Sequence, residues 1–156
     1  MISRRRAREF SLQILYAAEV GGDSLEKASR ILAKEDPPVP LEAQQYGFQL
    51  ANSVLEHKEK VDKLISESSE NWDVERFAVI DRIILRMAIV ELMTVADVPA
   101  KVCINEAVEI AKKFSTENSS RFVNGILDSV AHQLMNPGFI STFLTGSKPK
   151  DPNESR

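Results

Sequence analysis

VCINEAVEIAKKFSTENSSRFVNGILD, residues 102–128, carries two helix faces in succession with a polar joint between them. Apolar residues recur at Ile104, Ala107, Val108, Ala111 and Phe114, the three-and-four spacing of a helix stripe. A second stripe follows at Phe122, Val123, Ile126, Leu127 and Val130. Between them, FSTENSSRF sets hydroxyl and amide side chains between two aromatics, with Lys112, Lys113 and Arg121 at its edges. Packing alone does not need those groups. Backbone amides are free at the start of the second helix, so the joint is a place where chemistry could sit.

The same period extends outward. A helix runs from about Ser3 to Val20, with Ala7, Phe10, Ile14 and Ala17 on one stripe, and stops at Gly21-Gly22. Asp23 reads as the cap of a second helix, with Glu26 completing a capping box. EDPPVP, residues 35–40, ends it. A third helix spans about Leu41 to Glu56, and the charged run EHKEK marks a bend or a solvated face before a fourth carrying Val61, Leu64 and Ile65. SESSEN, residues 66–71, is the best internal boundary. Asp73 then caps a long central helix reaching Val95, with Trp72 stapling to Phe77. Val98-Pro99 and Thr116-Glu117-Asn118 separate the last two helices. The expectation is an all-α chain of about seven helices. It divides into an N-terminal subdomain (1–70), a C-terminal subdomain (71–135) and a tail (136–156) without period, expected to be mobile.

A chain of 156 residues suits one domain or two small subdomains sharing a core. The net charge of −3 gives no global attraction to nucleic acid, so any basic surface must be local. The single cysteine, Cys103, cannot form an internal disulfide, which fits a cytoplasmic location. No secretory signal is visible, and the apolar stretch Ala78–Ala96 contains Asp81, Arg82, Arg86 and Glu91, a poor membrane span. His57 and His132 lack ligand spacing, and there is no glycine-rich phosphate loop or nucleophile elbow. No catalytic residue, metal or cofactor is expected.

Arg4, Arg5, Arg6 and Arg8 fall within the first eight residues with no acid among them. Positive charge at a helix N-terminus opposes the macrodipole by about 0.3–1 kcal/mol per group. Such a cluster in an acidic chain points to an anionic partner, a solvated helix start being the plainer reading. Lys112, Lys113 and Arg121 form a second group, with Lys101 further off. Phe114 and Phe122 are either stacking platforms for unpaired bases or core residues, and Ser115, Ser119 and Ser120 could hold a phosphate. Arginines, lysines and aromatics without a recognition helix fit single-stranded RNA better than duplex DNA, provided helix one and residues 114–121 are neighbours. On the central helix, Asp81 and Glu91 fall inside apolar arcs. Each must be paired, hydrogen-bonded or at an interface. The internal candidates are Arg82, Arg86 or a helix-terminal amide; Asp81 is equally open to a partner protein. Tyr16 reads as a core-edge residue with its hydroxyl in water. A protein-interaction module or homodimer without RNA is the alternative function, and a carboxylate hydrolase a remote third.

RRRAREFSLQILY (4–16), DRIILRMAIVEL (81–92), INEAVEIAKKFS (104–115) and RFVNGILD (121–128), in that order, resemble the NusB family of bacterial transcription antitermination factors. The resemblance covers roughly residues 3 to 131 and implies two perpendicular three-helix bundles. It implies binding of boxA-like single-stranded RNA in ribosomal operons, jointly with the ribosomal protein NusE and indirectly with RNA polymerase. The RNA contacts it implies are Arg4, Arg5, Arg6, Arg8, Lys112, Lys113, Phe114, Asn118 and Arg121. The protein partner is implied at Tyr16, Asp81, Arg86 and Phe122. Relatives often carry Asp where this chain has Asn118, which implies a different RNA affinity. Some RNA cytosine methyltransferases begin with such a domain, but this chain has no room for their catalytic domain.

Overall fold

The computed structural model describes residues 4–68 and 74–135. They form six α-helices and no strand: α1 (Arg4–Gly21), α2 (Leu25–Leu32), α3 (Leu41–Ser68), α4 (Val79–Thr94), α5 (Ala100–Phe114) and α6 (Glu117–Leu134). A short 3-10 turn, Val74–Arg76, precedes α4. The expected Asp73 cap, its Trp72 staple and the tail 136–156 lie outside the described residues.

The α1 stripe is as the spacing predicts, with Ala7, Phe10 and Ile14 fully buried. The helix ends at Gly21, and Gly22 adopts φ +73, a conformation that glycine reaches without a Cβ clash. The Asp23 amide folds back onto the Ala17 carbonyl at 3.4 Å, so Asp23 belongs to the end of α1. Ser24, rather than Asp23, caps α2, its hydroxyl accepting from the Lys27 amide at 3.1 Å.

Residues 41–68 form one unbroken helix rather than two, which brings the count to six. EHKEK contains no proline or glycine; Glu56, Lys58, Glu59 and Lys60 are simply exposed. Val61, Leu64 and Ile65 continue the buried face of Leu50 and Val54 in the same phase. Where α3 crosses α1, Gly47 is obligatory. A Cβ there would sit 2.6 Å from the Ala7 carbonyl and 2.9 Å from the Phe10 ring.

α4 begins at Val79, later than the expected Asp73, and has no side-chain cap. It is the central element, with an uninterrupted buried run from Ile83 to Glu91. This explains its apolar sequence; no described helix is long and apolar enough to cross a membrane. Phe77 meets Phe122 of α6 edge-on, ring centroids 5.0 Å apart, tying the entry of α4 to α6. The buried apolar residues of all six helices form one core cluster.

Candidate nucleic-acid interface

Two rungs of ion pairs join α1 to α5. Arg5 donates from Nε and Nη2 to the Glu106 carboxylate at 2.7 and 2.9 Å. One turn along α1, Glu9 accepts from Lys113 Nζ at 2.9 Å. Helix one and the end of α5 are therefore neighbours, as a shared RNA surface requires. Arg4 forks onto Asp97 at 2.8 and 3.4 Å, and its guanidinium lies 5.1 Å from the Tyr46 ring centroid. Hydrogen bonds from these arginines hold the Glu106 and Asp97 carboxyls below their ordinary pKa values. Carboxylates thus interleave with the cations. The Arg4 and Arg5 pairs are solvent-exposed, and such pairs contribute about 0–1 kcal/mol, so a phosphate can replace the carboxylate.

Arg8 departs from its expected place among the RNA contacts. Its guanidinium is buried and donates from Nε to both Glu91 oxygens at 2.9 and 3.1 Å. The Tyr46 hydroxyl donates to the same carboxylate at 2.7 Å. Burial first, then this bond to Glu91, pushes the Tyr46 phenol pKa up. Glu91 is thus internally paired as expected, but by Arg8 and Tyr46 rather than Arg82, Arg86 or an amide. This knot ties α1 and α3 to α4 and fixes the arginine-bearing turn of α1. Cys103 lies nearby, its buried thiol donating to the Ala88 carbonyl at 3.2 Å. Burial pushes that thiol pKa up, opposing thiolate chemistry.

The serines of the α5–α6 joint are occupied by the fold. Thr116, not a serine, caps α6 by accepting from the Ser119 amide at 3.0 Å. Ser119 donates to Asp81 Oδ2 at 2.8 Å and accepts from Ser115 and Thr116, while buried Ser120 donates to the Glu117 carbonyl at 2.6 Å. The expected phosphate cradle is therefore absent, because the hydroxyls bind α6 to α4 and to itself. Asn118 and Arg121 are exposed beside the joint and make no side-chain hydrogen bond or ion pair among the described residues.

Arg86, expected at the partner surface, is buried and forks onto Asp62 at 2.7 and 2.8 Å, with Glu19 and Glu75 at 3.8 Å. It serves the interior. Asp81 is buried, yet its Oδ1 has no hydrogen-bond partner among the described residues. Tyr16 is 42% exposed on the wall of an apolar groove of about 360 Å³, shared with Leu12, Ile31, Leu32, Ile80 and Phe114. Phe114 is half-buried, with Lys113 Nζ 5.3 Å from its ring centroid; Phe122 is half-buried against Phe77. Glu9, Tyr46, Asp97 and Glu106 are the participants that sequence reasoning missed. Glu106 had a signal, lying two helical turns before Lys113 on the same face; Asp97 had none.

The family model of NusB matches residues 5–132. A transcription antitermination protein NusB of Geobacter sulfurreducens is 40% identical over 138 residues, covering 88% of this chain and 100% of that one. Another, of Chloroherpeton thalassium, is 41% identical over 90% of this chain, which spans only 66% of that relative. Among solved structures, T. maritima NusB is 36% identical with a TM-score of 0.76, over 85% of this chain and 92% of that one. A structure described as antitermination factors NusB and NusE in complex with dsRNA matches at TM-score 0.74 and 22% identity, a likeness of fold alone. With its helices, their order and the family pattern in agreement over residues 5–132, the chain belongs to the NusB family.

Proposed function

We propose that this chain is a non-catalytic transcription antitermination factor that binds boxA-like single-stranded RNA together with the ribosomal protein NusE. The observation that carries the reading is the side-by-side placement of the arginine-rich turn of α1 and the lysine-bearing end of α5, joined by Arg5–Glu106 and Lys113–Glu9. Arg4, Arg5, Arg6, Lys112, Lys113, Asn118 and Arg121 form the RNA face. Arg8 acts beneath it by holding the turn. The antitermination names of the curated relatives support the same activity.

The protein partner sits on the apolar groove of Tyr16, Ile80 and Phe114, with Asp81 and Phe122 at the nearby start of α4 and α6. Phe114 belongs to both surfaces, with Lys113 against its ring and the groove beside it.

Fluorescence anisotropy with a boxA-like RNA, with and without NusE, across a salt series tests the proposal. The double substitution R5A/R6A should weaken binding and shallow the salt slope by roughly 0.7 for each phosphate no longer neutralised. An unchanged slope would remove the RNA face. A stable homodimer in sedimentation, indifferent to RNA, would favour the interaction-module reading.

A further inference from the structure

On the outer side of the α5–α6 pair lies an open groove of about 520 Å³, lined by Asn105, Val108, Glu109, Lys112, Arg121 and Asn124. The carboxamides of Asn105 and Asn124 and the guanidinium of Arg121 are exposed and make no side-chain hydrogen bond or ion pair among the described residues. Their hydrogen-bonding capacity is spent on solvent. Among the described residues, Lys112 is held only by a 3.4 Å pair with Glu109 one turn earlier, both half exposed.

The groove adjoins the RNA face through α5. At about 100° per residue, Asn105, Glu109 and Lys112 share one side of α5, about a quarter turn from the ridge of Glu106 and Lys113. A strand held at Lys113, on that ridge, would have the groove a quarter turn away. The contents do not suit a bare phosphate, since Glu109 and Glu117 set two carboxylates beside the two cations. They suit a nucleobase, which presents both donors and acceptors on its edges. A carboxylate accepts from the exocyclic amine of cytosine, and a carboxamide supplies a matched donor and acceptor to a base edge. The keto oxygen of uracil facing Glu109 has no donor to offer.

We infer that this groove reads one unpaired amino-bearing base of the bound RNA, with Asn105, Asn124 and Glu109 on its edge and Arg121 on its phosphate. The inference rests on the RNA-binding reading above and adds to it a place where base identity is chosen.

The test uses the full chain and two fluorescent RNAs of equal length, oligocytidylate and oligouridylate, which differ at the amine and keto positions. The unsubstituted protein should prefer oligocytidylate about tenfold, the size of one good edge contact. Glu109→Gln, whose carboxamide can donate to the keto oxygen of uracil as well as accept from the amine of cytosine, should bring that preference close to unity while leaving the thermal melt unchanged. An unchanged preference in Glu109→Gln, or none in the unsubstituted protein, would overturn the inference while leaving the RNA face standing. Failure of either RNA to bind at all would remove that face, and this inference with it.

Discussion

Lys113, at the end of α5, holds Glu9 of α1 at 2.9 Å across 104 positions of chain, and Arg5 holds Glu106 in the reverse sense beside it. The cations of the proposed RNA face are therefore stationed by carboxylates, which RNA bound there would have to displace. On that proposal the acidic partners, as well as the arginines, set the affinity.

Glu106→Gln should strengthen RNA binding several-fold, because Arg5 no longer has a charged competitor. The pH dependence has a definite sign. Arg5 holds the Glu106 carboxyl below its ordinary 4.5 in the free protein. RNA that takes Arg5 away lets that pKa return upward, so the complex takes up a proton as pH falls through this range. Binding should therefore strengthen on acidification, and less so in Glu106→Gln. Anisotropy titrations at stepped pH read the difference between the two proteins. Parallel curves would show that RNA does not take Arg5 from Glu106.

Arg8→Ala should destabilise the fold by about 3–5 kcal/mol in urea unfolding, because among the described residues it removes the only ion-pair partner of the buried Glu91 charge. Arg5→Ala, three residues earlier, should cost under about 1 kcal/mol. Equal losses in the two proteins would mean that Arg8 does not lock the turn.

Gly47→Ala adds a methyl group 2.6 Å from the Ala7 carbonyl. Alanine is the better helix former by about 1 kcal/mol, yet overpacking against backbone costs about 1–3 kcal/mol and cannot relax cheaply. The net result should be a lower Tm. A gain in stability would refute the close crossing of α1 and α3.

Tyr16→Ala should weaken NusE binding by about tenfold or more, since a half-exposed tyrosine on an apolar wall is a typical interface anchor. Arg86→Ala should instead lower stability, by removing the buried guanidinium that holds the part-buried Asp62 carboxylate. Isothermal titration calorimetry beside thermal melts separates the two effects. A Tyr16→Ala protein with full NusE affinity would move the partner elsewhere.

The local features of this protein are legible in its sequence. Apolar spacing marks the buried faces of α1, α5 and α6, because helix periodicity depends only on neighbours three and four residues away. The cationic groups are equally visible as composition. The run EHKEK left a bend and a solvated face both open; it is the solvated side of one long helix, since charge without proline or glycine does not interrupt the backbone.

What only the tertiary structure decided is the partner of each charge. Arg5 and Arg8 are the same residue type three positions apart, yet one lies at the surface on Glu106 and the other in the core on Glu91. The carboxylates they meet are 101 and 83 positions away. Their meeting depends on how α4 and α5 lie against α1, and no local period encodes that arrangement. Likewise, the serines of the joint were visible as polar groups, but the bond from Ser119 to Asp81 follows from α6 lying across the start of α4.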